Sequence, residues 1–100
     1  MYVVVLFLEA KGDCSEKLRG ALTAHAASVR ANDPGCERFD VAHDPLEPNA
    51  FLIYQVFDSE EAFTAHFEQE AHLHFASRIE PWVKTERKLT YTLLDTGRMV

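Results

Sequence analysis

Residues 2–9, YVVVLFLE, are apolar on both faces of any strand they form, and that limits what the rest of the chain can do. Their β-branched and aromatic content favours extended backbone. Alternation then sets Tyr2, Val4, Leu6 and Leu8 on one side and Val3, Val5 and Phe7 on the other. Such a strand needs cover above and below. The run is too short to span a bilayer, and no basic leader or small-residue cleavage signature accompanies it. A buried strand is therefore expected, not a targeting or membrane segment.

The remaining elements supply one of the two covers. Residues 15–31 fit a helix with Asp13 or Ser15 as N-cap and with Leu18, Leu22, His25 and Val29 along one face. Asn32-Asp33-Pro34-Gly35 stops it. Residues 36–44 alternate as a strand, Asp44-Pro45 through Pro48-Asn49 makes a turn, and residues 51–57, FLIYQVF, form another apolar strand. The pair reads as a β-hairpin. Asp58 is placed to cap a second helix, with Glu61 completing a capping box, and Ala62, Phe63, His66 and Phe67 share one side of it. That helix is expected to break or bend near His72, with a further helical piece reaching Glu80-Pro81. Residues 83–94 alternate as the last strand, where Thr90, Tyr91 and Thr92 favour β structure.

The order β-α-β-β-α-β predicts an α+β, ferredoxin-like architecture: a four-stranded antiparallel sheet with the helices on one face. The other sheet face is then left apolar and bare. The simplest cover is a second copy of the chain, giving a homodimer through the sheet face. With 100 residues and 47% hydrophobic content, one domain spanning 1–100 is expected, without linker or repeat. A net charge of -6 and the lack of any basic run argue against nucleic acid. Cys14 and Cys36 are isolated, without metal-type spacing, so a reduced, cytoplasmic setting is expected.

Several short pieces, in order, carry a resemblance. They are Pro34-Gly35-Cys36, Arg38-Phe39-Asp40-Val41, Asp44-Pro45, Pro48-Asn49, Tyr54, Ala62-Phe63 with Ala65-His66, and His74-Phe75. Together they resemble the antibiotic biosynthesis monooxygenase family, within the dimeric α+β barrel superfamily. The resemblance implies a homodimer with facing sheets and, in each subunit, a pocket between sheet and helices. It also implies chemistry of the family's kinds: cofactor-independent oxygenation of quinols or anthrone-type polyketides, or isomerisation of a phosphorylated quorum-sensing signal. The pattern sits nearest that quinol-oxygenase and isomerase branch. The haem-degrading relatives fit less well, since the first strand has no asparagine and the sole tryptophan, Trp82, lies late in the chain.

Oxygenation without metal or flavin needs a base to make an electron-rich anion, an apolar chamber that admits oxygen, and polar groups for the developing peroxide. His66 and His25 are the candidate catalytic bases, each interrupting the apolar face of a different helix that packs on the same sheet. Each also reads as a core histidine satisfied by a backbone carbonyl, and the resemblance tips His66 toward the base. Tyr54 could donate a hydrogen bond to a substrate oxygen or pack on the sheet, while Phe39, Phe63, Phe67 and Trp82 would line a flat aromatic cavity. The resemblance puts His74 at the pocket mouth. His72 is expected to face solvent, His43 receives no role, and Asp40 reads as an exposed strand carboxylate.

His72 and His74 form an H-x-H pair that could serve as a metal arm with His66 and His25, but no spacing matches a zinc motif, so no metal is expected, and no phosphate-cradling glycine loop or other cofactor signature appears. The expected function is therefore a cofactor-independent monooxygenase acting on a quinol-like or polyphenolic aromatic with dioxygen. Isomerisation of a small, phosphorylated carbonyl compound, with Arg38 or Arg78 at the mouth, and a non-catalytic dimeric binding module are the alternatives.

Overall fold

The computed structural model of the chain describes residues 1–95. β1 (Tyr2–Ala10), α1 (Ser15–Asn32), β2 (Cys36–His43), β3 (Ala50–Phe57), α2 (Glu60–Glu68), α3 (Glu70–Ile79) and β4 (Val83–Thr92) follow in order, with a 3-10 turn at Glu80–Trp82 leading into β4. The four strands pair antiparallel in the order β2-β3-β1-β4. This is the ferredoxin-like α+β fold that the element order implies.

Register decides which residues meet. Leu8 lies opposite Phe51, Leu6 opposite Ile53 and Val4 opposite Gln55, while Phe39 of β2 also lies opposite Gln55. Leu8, Phe39, Phe51 and Ile53 are buried against Leu18, Leu22, Ala26 and Val29 of α1 and Ile79 of α3. Each large apolar side chain so buried contributes about 1.5–3 kcal/mol to folding. The intervening residues, among them Val5, Phe7, Leu52, Tyr54, Leu89 and Tyr91, lie on the opposite face, where Phe7 is 43% and Tyr91 54% exposed.

β4 differs from its neighbours on the helix side. Its residues there are Glu86, Lys88 and Thr90, opposite Leu8, Leu6 and Val4. These offer no apolar stripe for a helix to bury, so a cleft persists over β1 and β4 beside α2 and α3. Between Glu9 and Ala10 the register slips, so that Ala10 pairs with Val83 and Lys84 is the extra residue. Val83 thereby packs against the core.

Local starts and stops depart from the sequence reading in three places. Ser59, not Asp58, caps α2, its hydroxyl oxygen accepting from the Ala62 N–H at 3.0 Å. Neither Asp13 nor Ser15 caps α1: Cys14 holds that position without a side-chain bond, and the Ser15 hydroxyl donates to the Pro48 carbonyl at 2.9 Å. The second helix ends ahead of His72, at Gln69, whose extended backbone (φ -62°, ψ 140°) separates α2 from α3. Among the described residues no helix is long and apolar enough to cross a membrane.

Candidate functional site

The cleft under α2 and α3 is a cavity of about 720 Å³, within the range that holds a small organic ligand. Its floor is Val4, Leu6, Leu8, Ile53 and Gln55 of the sheet; Phe63, Phe67, His72 and Phe75 form the helical wall. Lys84, Glu86 and Lys88 of β4 make the polar side, and the Lys88 ammonium lies 5.6 Å and 5.5 Å from the ring centres of Phe63 and Phe67. Gln55, only 3% exposed, puts an amide into an otherwise apolar floor.

Behind the wall two further histidines converge on His72. His66 of α2 is 2% exposed, and its Nδ1 lies 2.6 Å from the Asp33 carboxylate, an ion pair when the ring is protonated. An ionised carboxylate only accepts, so Nδ1 carries the hydrogen and Nε2 is left to face other partners. The other Asp33 oxygen accepts from the Gly35 N–H at 3.1 Å, which fixes the carboxylate. Gly35 is small for a reason: a Cβ there would stand 3.2 Å from the Ala62 Cβ, and its absence lets α2 settle onto this turn.

His25 of α1 stacks on Phe75 (ring centres 3.8 Å apart, planes 3° apart) and meets Phe39 edge-on. The ring centres of His66 and His72 are 5.0 Å apart, and His25 lies 6.2 Å from the first and 5.9 Å from the second. Burial, then the nearby His72 and His66, pushes His25 down to about 4. Burial, then His66, likewise pushes His72 down to about 4. Both rings are therefore neutral at neutral pH, with a free lone pair each. The Cys36 thiol, pushed up to about 11 mainly by burial, stays protonated and is a poor nucleophile.

The structure divides the residues singled out in sequence. Phe63 and Phe67 line the cavity; His66 and His25 stand behind it, in contact with His72. Phe39 is core, packed on His25 rather than on the cavity. Trp82 packs against the core with the Arg78 guanidinium 5.9 Å from its ring, and His74 is exposed, outside the cavity lining. Tyr54 is on the opposite sheet face, since it alternates with Ile53 and Gln55, and Arg38 lies over its ring beside Asp40. Neither arginine named for a phosphorylated substrate lines the cavity; Lys84 and Lys88 do.

His72 corrects the expectation of a solvent-facing residue. On one continuous helix, six residues would turn it about 120° away from His66. The break at Gln69 removes that constraint and brings the rings together. Asp33 and Gln55 were legible only as a helix stop and a polar interruption in FLIYQVF, although its odd position in that strand marks Gln55 as inward-facing.

Comparison with known proteins agrees with this architecture. A provisionally named antibiotic biosynthesis monooxygenase of Deinococcus radiodurans superposes with a TM-score of 0.89 at 21% identity, over 100% of this chain and 99% of that one. One of the same description from Nitrosomonas europaea gives 0.86 at 25% identity, over 95% and 100%. A Shewanella oneidensis protein gives 0.83 at 25% identity, over 90% and 87%. No curated protein matches the chain. The sequence profile of the antibiotic biosynthesis monooxygenases matches residues 1–78, and the chain belongs to that family.

Proposed function

We propose that the protein is a monooxygenase that oxidises a quinol-like or polyphenolic aromatic in the cavity between sheet and helices, using dioxygen without a cofactor. The observation that carries this reading is the wall itself: Phe63, Phe67 and Phe75 beside His72, with His66 and Asp33 behind it. A flat ring stacked there would present a hydroxyl to His72. His72 takes the proton and, once its ring closes to hydrogen-bond distance of His66 from 5.0 Å between centres, hands it on to His66, where the Asp33 carboxylate offsets the imidazolium charge. The substrate anion gives one electron to oxygen, and the two radicals join as a peroxide. Its breakdown leaves one oxygen atom on the substrate and releases the other as water, the substrate losing two hydrogens. The Gln55 amide in the cavity floor would hydrogen-bond the negative oxygen.

An oxygen electrode tests this with chelator-treated protein and a series of substituted hydroquinones. Uptake of one dioxygen per substrate, well above the autoxidation rate, is expected. Uptake at the autoxidation rate across the series would overturn the reading. Lys84 and Lys88 favour a second one, isomerisation of an anionic carbonyl compound, which would yield product without consuming oxygen. Ligand-induced thermal stabilisation with no product would mark a binding module instead.

The apolar outer sheet face, with Phe7 and Tyr91 exposed on it, supports a homodimer built sheet to sheet. Sedimentation at micromolar protein should give twice the 11.4 kDa of one chain. A mass near 11.4 kDa would remove the dimer.

A further inference from the structure

Three buried imidazole nitrogens, His25 Nε2, His66 Nε2 and His72 Nδ1, have no hydrogen-bond partner among the described residues. One donor nitrogen of each ring lies within 4.8 Å of those of the other two. A buried polar atom left unpaired costs about 1–3 kcal/mol, so three in one place call for a shared occupant. We propose that these three nitrogens bind a zinc-like divalent transition-metal ion, with Asp33 holding His66 in register.

The donor set selects the ion. Three imidazoles and no oxygen ligand suit zinc, cobalt or their neighbours and do not suit calcium or magnesium. In a tetrahedral site with metal–nitrogen bonds of about 2.0–2.1 Å, donors stand about 3.3 Å apart. From a spread of at most 4.8 Å, the rings need close by only about 1.5 Å. His25 and His72 are both half-buried and can make that adjustment.

His66 is prepared already. Its Nδ1 is committed to Asp33 at 2.6 Å, the carboxylate–histidine arrangement that fixes the tautomer of metal-bound imidazoles. His72 also forms part of the cavity wall, so the site adjoins the cavity, and three protein ligands leave a fourth position for an exchangeable one. The three residues come from α1, α2 and α3 and are dispersed in sequence, which is why spacing gives no sign of the site. The proposal goes beyond the oxygenase reading and does not rest on it. Ion and proton would compete for the same lone pairs, making them alternative states of one cluster.

The test is titration of the full, chelator-treated chain with Zn(II) by calorimetry and with Co(II) by visible absorption. One ion per chain is expected, with the d–d bands of four-coordinate Co(II). Nitrogen-15 NMR of the wild-type protein should show Zn(II) moving His25 Nε2, His66 Nε2 and His72 Nδ1, a readout that needs no variant. Asp33→Asn should weaken Zn(II) 10–100-fold, and His25→Leu should weaken it at least as much, whereas His74→Ala and His43→Ala should leave it unchanged. No saturable binding, or binding lost with His74 or His43 and kept in His25→Leu, would overturn the site. None of these readouts uses oxygen uptake, so failure here and failure of the oxygenase reading are told apart.

Discussion

A His72→Phe protein should fold like the parent and consume oxygen with a hydroquinone on the order of 10²–10⁴-fold more slowly, the usual contribution of a positioned base. Phenylalanine keeps a ring of similar size against Phe67 and His66, both 5.0 Å away between centres, so the wall is preserved while its nitrogens are removed. His66→Ala should lower the rate as far, because the proton then has no neutralised seat. His74→Phe, outside the cavity, should not change it. Rates are compared per folded molecule, with circular dichroism fixing that fraction. Parental turnover in His72→Phe would take the histidine cluster out of the reaction, whatever the substrate.

That His72 lines the cavity shows where sequence periodicity stops. Period-2 alternation in YVVVLFLE and FLIYQVF assigned both sheet faces, and the register agrees residue by residue: Leu8 against Phe51, Leu6 against Ile53. Periodicity in α1 likewise put His25 on the apolar stripe with Leu18, Leu22 and Val29. These are local rules, and they hold while an element stays regular. His72 lies just past an irregularity, where one extended residue, Gln69, resets the helical phase. No rule based on 3.6 residues per turn carries across such a break.

Asp33 was hidden for another reason. Its partner is 33 residues away, and nothing local marks a helix-stopping aspartate as a ligand for a distant imidazole. Asp40, the exposed strand carboxylate that its position implies, pairs with Arg38 on the outer face. Tyr54 failed as a cavity residue by parity alone: it shares FLIYQVF with Ile53 and Gln55 but alternates to the opposite side. Gln55 obeys the same parity and reaches the cavity floor. The fold was therefore legible from patterns, and the site only where those patterns ran unbroken.

Breaking the Asp33–His66 pair should cost the metal-free fold about 3 kcal/mol from either side, since removing one partner of a buried pair strands the other. In a domain this small that is a fall in Tm on the order of 12–24 °C. The two losses differ in origin. Asp33→Ala strips the acceptor from the His66 Nδ1–H, 2% exposed, and from the Gly35 N–H, so both donors lose their bonds. His66→Ala leaves the carboxylate with Gly35 alone and opens a void beside Phe57, whose ring centre is 5.1 Å from the imidazole. The double variant strands neither group and should cost less than the sum, by about 0.5–3 kcal/mol. Urea unfolding at one fixed protein concentration measures the cycle and keeps self-association from entering it. Strict additivity would mean that Asp33 and His66 do not act as a unit, and the route that ends a proton on His66 would lose the charge that makes it favourable.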